Sequence, residues 1–519
     1  MDFKTRKISR NKSDNNSIKS RFKHSLPPKK RINGKVKVHL FTIFGSVAII
    51  FILLFGIVQA LKSIDLSAIV FSFGKTLMTD ENGNTNILMV GIGGKGHDGS
   101  NLTDTIIVAS INYKEKVVPM LSIPRDFYIE DEQTRINTIY EIYHDESTEA
   151  GMNALSDTIT DITGLEIQYF VKIDFKGFEQ IVDSLGGVEL MVENTINDPY
   201  YPKDGTIYFE PFYLEEGLQT LDGETALKYA RSRKTTSDFD RARRQQNLLN
   251  AIKEKALSLN ILTNPNKITK LYNSVGDSIE TNLSLAEIIE GAKLASDYNK
   301  DDLYPIVFND DPTECGGLLY TPVREYFSGA AVLLPAGNDY DYTNYFVDTV
   351  FGNMDAILAQ DKIQVLNGTK TPGLAYEGLE ILSRHCLNVV YYGNAIERPL
   401  ETSTIYYKTD EEGNPPKALE YVKSLTGIPT QAGIPDYYLE SERRSDSQIV
   451  VEFGVDYLEF RPDDPYDSLR YITPIAKPST NNTSDSETDS EADTVADTSD
   501  TETTAPTETE NSPPITTEE

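Results

Sequence analysis

Residues Phe178–Val192 read FEQIVDSLGGVELMV, and this stretch decides the fold class. Its first half predicts an amphipathic helix, because apolar residues recur at intervals of three and four: Phe178, Ile181, Val182 and Leu185. Two glycines, Gly186 and Gly187, end that helix, and the alternating residues Val188–Val192 predict a strand. A helix followed at once by a strand is typical of a layered α/β domain.

Apolar runs upstream predict three more strands, Asn86–Val90, Thr105–Ile111 and Val117–Ile123. We therefore predict an α/β fold in which a central β-sheet is sandwiched between helices. The first of these strands runs into Gly91-Ile-Gly-Gly-Lys-Gly96, which matches GxGxxG. A dinucleotide site needs a helix directly after this motif, and residues 97–104 are typical of a loop instead. The motif thus gives little support to a nucleotide cofactor.

An arginine-rich segment follows in an acidic protein. Six of the fourteen residues from Arg231 to Arg244 are basic, whereas the whole chain of 519 residues has a formal net charge of -31. Arginines repel one another unless an anion lies between them, and their planar guanidinium groups suit phosphate oxygens. We interpret the segment as a phosphate site; the alternative is the solvated, basic start of a helix.

The local pattern suggests how the arginines converge. Arg231 and Arg233 are two residues apart, so an extended chain would direct both side chains to one side. Asp238 is a plausible N-cap for a helix, since apolar residues recur after it. One face of that helix would carry Arg241, Arg244, Gln245 and Leu248. Its N-terminus would add to the attraction for an anion.

The first 61 residues predict a membrane anchor. Residues 1–39 contain thirteen Lys or Arg and two acids, and residues 40–61 contain no charge. An uncharged apolar run of this length can cross a bilayer, and the basic arm then stays in the cytoplasm. We predict a single-pass protein of the cell membrane with the bulk of the chain outside the cytoplasm. A cleaved signal peptide is the alternative.

The composition of the other segments completes the organisation. The basic arm has few aromatic residues, so we expect contact with the cytoplasmic membrane and no nucleic acid. Residues 478–519 hold twelve acids and no Lys or Arg, which predicts a disordered tail. A linker at 62–84 precedes a first globular region at 85–355, and a second follows at 361–456. Cys315 and Cys386 either pair or stay free; the sequence leaves both open.

Seven motifs together resemble the LytR-CpsA-Psr domain, in order and at appropriate spacing: NILMVGIGG (86–94), LTDTIIVASIN (102–112), VVPMLSIPRDFYI (117–129), RINTIY (135–140), VKIDFKGFEQIVDSLGGVEL (171–190), LDGETALKYARSRK (221–234) and DFDRARRQQ (238–246). The resemblance implies a membrane-anchored phosphotransferase that moves a glycopolymer from a polyprenyl-pyrophosphate carrier onto peptidoglycan, usually with magnesium. It also implies a deep apolar slot for the lipid tail.

The same resemblance implies the roles of single residues. It makes Asp104, Arg125, Arg231 and Arg233 catalytic, and Arg135, Arg241, Arg244 and Gln245 substrate-binding. Asp104 would hold Mg²⁺, with Asp98 as a second ligand. The chain departs from the family pattern at Leu102, where an arginine is common, and at Gly93, where an acid is usual. A non-catalytic wall-binding or regulatory protein and a lipid pyrophosphate hydrolase are therefore the alternative functions.

A second resemblance covers residues 361–456. The strands Lys362–Asn367, Val389–Gly393 and Ile449–Gly454 and one helix from Gly373 to His385 are similar to the LytR C-terminal domain. We find no catalytic constellation there and predict that His385 and Cys386 pack in its core. We assign this small α/β domain to binding or spacing.

Overall fold

The computed structural model describes residues 76–203, 206, 208–232, 238–299, 302–337, 339–440 and 446–468. The predicted arm, the predicted span at 40–61, most of the linker, Arg233 and the predicted tail lie outside these ranges. Within them, no helix is both long and apolar enough to cross a bilayer.

A six-stranded mixed sheet forms the centre of the first half of the chain. Its strands are β1 (Thr85–Ile92), β2 (Thr103–Ile111), β3 (Val118–Ser122), β6 (Tyr169–Asp174), β11 (Ile279–Thr281) and β12 (Leu303–Val307). They lie side by side in the order β11-β6-β1-β2-β3-β12. Strand β2 pairs antiparallel with both β1 and β3. Strand β6 pairs parallel with β1, and β12 pairs parallel with β3. The three strands predicted from apolar runs are confirmed.

Helices cover both faces of this sheet. They are α1 (Ile139–His144), α2 (Thr148–Thr163), α3 (Phe175–Ser184), α4 (Gly223–Arg231), α5 (Asp238–Ser258), α6 (Pro265–Val275), α7 (Leu285–Ser296) and α8 (Asp341–Gly352). Alternate residues of β1 point to opposite faces: Leu88 packs in a core with α2 and α8, and Met89 packs in another with α5 and α7. The predicted sheet between helices is thus confirmed.

Short strand pairs surround the sheet. They are β4 (Tyr128–Ile129) with β5 (Thr134–Arg135), β7 (Val188–Val192) with β10 (Gly217–Leu221), β8 (Ile196–Pro202) with β9 (Phe209–Leu214), and β13 (Leu319–Tyr320) with β14 (Leu334–Pro335). The helix and strand predicted from Phe178–Val192 correspond to α3 and β7. Asp174 caps α3 by accepting a hydrogen bond from the Gly177 amide at 2.7 Å, so this helix begins three residues before the predicted start.

A second sheet with its own helices follows. Its strands are β15 (Ile363–Asn367), β16 (Val389–Asn394), β17 (Thr404–Tyr407), β18 (Thr430–Ala432) and β19 (Ile449–Phe453). They lie side by side in the order β16-β15-β19-β17-β18. Its helices are α10 (Leu374–Arg384), α11 (Leu419–Thr426) and α12 (Tyr457–Phe460), after the short α9 (Met354–Leu358). The prediction of a single helix was wrong, because Leu419, Val422 and Leu425 of α11 also bury an apolar face against the sheet.

The two sheets share one continuous core. Buried residues of both, including Leu88 of β1 and Val451 of β19, belong to the same cluster, and so do Met354 and Ile357 of α9. Cys315 and Cys386, which the sequence alone does not pair, form a disulfide. His385 beside it is buried, as predicted, and burial together with the charge of Arg384 lowers its pKa to about 3.

Candidate functional site

A polar cavity of about 300 Å³ opens beside the amino end of β2. Five residues that the sequence had assigned to the site line it: Asp104, Arg125, Arg231, Arg241 and Gln245. They come from four separate elements of the fold, spread over residues 104–245 of the sequence. The convergence of several arginines on one cavity supports a phosphate site over a solvated helix start.

Asp104 and Arg125 form an ion pair on one wall. Asp104 is the second residue of β2, and Arg125 follows β3, the antiparallel neighbour of β2. The Arg125 guanidinium donates to Asp104 Oδ1 at 2.6 Å. The Arg135 guanidinium donates to Oδ1 of Asp126, the residue after Arg125, at 2.8 Å. Arg135 is outside the described lining of the cavity, so a direct contact with substrate stays a prediction.

Arg231 is the last residue of α4, and the prediction of an extended chain at this position was wrong. Asp222 caps the helix by accepting from the Thr225 amide at 2.9 Å, and the helix then runs to Arg231. Its guanidinium donates to the Tyr201 hydroxyl at 3.0 Å and lies 4.1 Å from the centre of the Phe175 ring. These contacts direct the cation towards the cavity. Arg233 lies outside the described residues.

The first turns of α5 supply two more side chains and a support. Arg241 and Gln245 line the cavity, one turn apart. Arg244 turns away: its guanidinium donates to the carbonyl oxygens of Tyr229, at 3.1 Å, and of Ser232, at 2.5 Å. Because carbonyl groups at the end of a helix lack partners within it, Arg244 holds the end of α4 in place. We class it as a positioning residue.

The β8–β9 hairpin forms a wall that the sequence analysis missed. Asp198, Tyr200, Pro202 and Phe209 line the cavity from this side. Asp198 Oδ2 accepts a hydrogen bond from the Ser232 hydroxyl at 2.9 Å, which fastens the hairpin to the end of α4. Burial alone would lower the pKa of Lys228, but its bonds to the carboxylates of Glu210 and Glu224 raise that pKa.

The predicted second metal ligand is not in this cavity. Asp98 is exposed on the loop between β1 and β2 and is absent from the described lining. Within the described ranges, no three His, Cys, Asp or Glu residues cluster in a way that could hold a metal ion. Gly93 also suits its position, because a Cβ there would meet the Cβ of His97 at 3.0 Å.

An apolar cavity of about 240 Å³ adjoins the polar one. It lies between the sheet and helices α3, α4 and α5, with walls that include Ile173, Phe178, Leu248 and Ile252. Both cavities share four lining residues: Thr105, Phe175, Arg231 and Gln245. A ligand that fills both must therefore be anionic at one end and apolar at the other.

The model of the LytR_cpsA_psr family matches residues 60–323, just over half of the chain. The chain belongs to this family. The model of the LytR cell envelope-related transcriptional attenuator matches residues 360–457. The first match contains all the described residues of both cavities, and the second covers the sheet from β15 to β19.

Three named bacterial proteins are similar to this chain. The cell wall biosynthesis protein LcpA of Corynebacterium glutamicum is 26% identical over 74% of this chain and 76% of its own length. The polyisoprenyl-teichoic acid–peptidoglycan teichoic acid transferase TagT of Bacillus subtilis is 31% identical over 39% of this chain and 62% of its own. The crystal structure of Bacillus subtilis TagV covers 51% of this chain and 96% of TagV, with 23% identity and a TM-score of 0.39.

Proposed function

We propose that this protein is a phosphotransferase that moves a glycopolymer from a polyprenyl-pyrophosphate carrier onto peptidoglycan. The continuity of the two cavities carries this proposal. A polyprenyl diphosphate has an anionic head and an apolar tail, and the shared wall at Arg231 and Gln245 lies where head and tail would join. The relatives described as teichoic acid transferases and a cell wall biosynthesis protein support the same class of substrate.

The residues of the chain suggest how transfer proceeds. A sugar hydroxyl of the acceptor attacks the phosphorus nearer the glycan; a new P–O bond forms, the bond to the bridging oxygen breaks, and polyprenyl phosphate leaves. Arg125, Arg231 and Arg241 neutralise the charge that develops on the phosphoryl oxygens. The hydroxyl proton passes to a carboxylate, and Asp104 and Asp198 are carboxylates of the described cavity wall.

We propose magnesium as the cofactor. Mg²⁺ in proteins is commonly bound by one or two carboxylates together with substrate phosphates, so Asp104 with a bound diphosphate is an adequate donor set. When bound, the ion would withdraw charge from the phosphoryl oxygens. The exposed position of Asp98 makes it a poor second ligand, whereas Asp198 lines the same cavity as Asp104.

We further propose that the site works outside the cytoplasm, close to the membrane. The basic arm and the uncharged run at 40–61 support this orientation. A reporter enzyme that is active only outside the cytoplasm, fused after Glu519, should therefore be active. Activity of a reporter that works only in the cytoplasm would contradict the proposed topology.

The function is tested with the purified full-length protein, a synthetic polyprenyl-diphosphate glycan and peptidoglycan. We expect release of polyprenyl phosphate together with covalent attachment of the glycan phosphate to the acceptor. Release of polyprenyl phosphate without attachment would instead indicate a pyrophosphate hydrolase.

A binding protein without turnover is the second candidate, and Leu102 is the observation that favours it. An arginine is common in the family at this position, and Leu102 packs beside Gly99 instead. Tight binding of the lipid diphosphate with no release of polyprenyl phosphate would establish this candidate. In that case Leu102→Arg should produce measurable transfer.

A further inference from the structure

We propose that the aromatic edge of the β8–β9 hairpin, formed by Tyr200, Pro202 and Phe209, binds the first sugars of the glycan attached to the diphosphate. This inference rests on the proposed function, because it assigns the glycan end of the same substrate.

The exposure of these rings is the first observation. Tyr200 and Phe209 are 57% and 62% exposed, yet both line the polar cavity. The two rings meet edge to face, with their centres 6.1 Å apart. Large exposed apolar side chains beside a cavity often mark a binding surface. A flat pyranose ring presents C–H groups on its faces, and these can be removed from water by packing against aromatic rings.

The direction of the substrate selects the glycan as the occupant. The hairpin contributes side chains to the polar cavity but none to the described walls of the apolar cavity. From the apolar cavity, a lipid diphosphate would therefore pass the shared wall, reach the arginines and emerge at the hairpin. The part of the molecule beyond the diphosphate is the sugar. A lipid surface would fit this edge less well, since the tail already has its own cavity on the other side of the arginines.

The hairpin is fixed relative to the arginines. The Ser232 hydroxyl bonds to Asp198 at 2.9 Å, and the Lys228 ammonium bonds to Glu210 at 2.7 Å. Both bonds join the hairpin to α4 or to the residue after it. Asp198 Oδ1 also accepts from the Tyr200 amide at 3.1 Å. These bonds thus hold the aromatic edge at a fixed distance from Arg231. A binding site for a sugar that is bonded directly to the diphosphate requires such a fixed distance.

The test compares two ligands on the full-length protein by titration calorimetry: a polyprenyl diphosphate, and the same lipid bearing a disaccharide. Tyr200→Ala and Phe209→Ala should each weaken binding of the disaccharide ligand about fivefold, as expected for one aromatic packing contact. The loss for the sugar-free ligand should be smaller, so the ratio of the two affinities should fall in each variant. Tyr213→Ala is the matched control, because Tyr213 lies on β9, is 59% exposed and is outside the described walls of both cavities.

The outcomes separate the inference from the proposed function. Equal losses for both ligands would overturn the inference, because the rings would then shape the diphosphate site. No loss for either ligand would also overturn it and would favour a surface that faces lipid. If the wild-type protein bound neither ligand, the proposed function itself would fail.

Discussion

Arg231 and Arg384 occupy equivalent positions, since each is the last residue of its helix, α4 in one case and α10 in the other. Their surroundings differ. Arg384 is 1% exposed and donates two hydrogen bonds to Asp464, at 3.1 and 2.7 Å. Arg231 contacts the Tyr201 hydroxyl and the Phe175 ring and lines two cavities.

This difference separates a structural charge from a binding charge. Both cations are favourable at a helix C-terminus. A carboxylate of the protein neutralises Arg384, so its charge serves the fold, whereas Arg231 lines two cavities that can admit an anionic ligand. Removing the first should therefore cost stability, and removing the second should cost affinity.

The largest effect is expected from Arg384→Ala. It would take the ion-pair partner from Asp464, whose side chain is 12% exposed, and breaking a buried pair in this way costs about 3–5 kcal/mol of unfolding free energy. Urea denaturation measures the loss. Arg461→Ala breaks the more exposed pair with Glu377 and should cost less than about 1 kcal/mol. Similar small losses for both variants would remove the distinction between the two arginines.

Asp104→Ala should reduce transfer about 100- to 1000-fold, as is typical when one electrostatic contributor to a transition state is removed. Its pair with Arg125 is partly exposed, so the unfolding free energy should change by less than about 1 kcal/mol. The rate of polyprenyl phosphate release is measured across a magnesium titration. Asp157→Ala, an exposed acid on α2, is the control. Equal rates for wild type and Asp104→Ala at every magnesium concentration would exclude Asp104 from the site.

Arg231→Ala and Arg241→Ala should each weaken binding of a prenyl diphosphate by about 1.5–3 kcal/mol, the range for hydrogen bonds to charged groups. Stability should be unchanged or slightly higher, since the remaining arginines repel one another less. Arg243 is the matched control on the same helix, because it pairs with Glu314 at 2.5 Å and is absent from the described lining of both cavities. Small effects at all three positions would favour a solvated basic helix.

Glu452→Gln tests the cost of a buried charge in the second sheet. Burial, reinforced by the charge of Glu397, raises the pKa of Glu452 to about 7 from a usual value of 4.5. The unfolded chain therefore loses its proton first, and stability falls as the pH rises from 4.5 to 7. Glutamine still accepts from the Tyr438 hydroxyl and should remove a loss of about 3 kcal/mol, since one unit of pKa shift corresponds to about 1.4 kcal/mol. Parallel stability curves for wild type and variant between these pH values would contradict this assignment.

Local patterns in the sequence identified the elements that bury apolar faces. The runs that became β1, β2 and β3 and the helix before Gly186 were recognisable because burial imposes a period on neighbouring residues. The two-residue spacing of Arg231 from Arg233 predicts an extended chain, whereas the Asp222 cap begins a helix that includes Arg231. An aspartate followed four and five residues later by Ala226 and Leu227 is the signal in the sequence that indicates this helix.

The hairpin wall and the disulfide depend on contacts between distant residues. Asp198, Tyr200 and Phe209 lie in a segment without an arginine cluster, and only the packing of β8–β9 on the end of α4 brings them to the cavity. The signal in the sequence is three adjacent pairs of aromatic residues, at 200–201, 208–209 and 212–213. Cys315 lies in the loop between β12 and β13 and Cys386 follows α10, 71 residues later, so no local pattern could pair them.

The central claim is that the two cavities hold the head and the tail of one lipid diphosphate. Titration calorimetry of the full-length protein with inorganic pyrophosphate and with prenyl diphosphates of increasing length tests it most directly. We predict that affinity rises about tenfold for each of the first isoprene units, since each buries an apolar surface similar to that of a leucine side chain. It should then level off when the apolar cavity is full, and Arg231→Ala should lower affinity by a similar factor at every length. An affinity independent of tail length would contradict the claim.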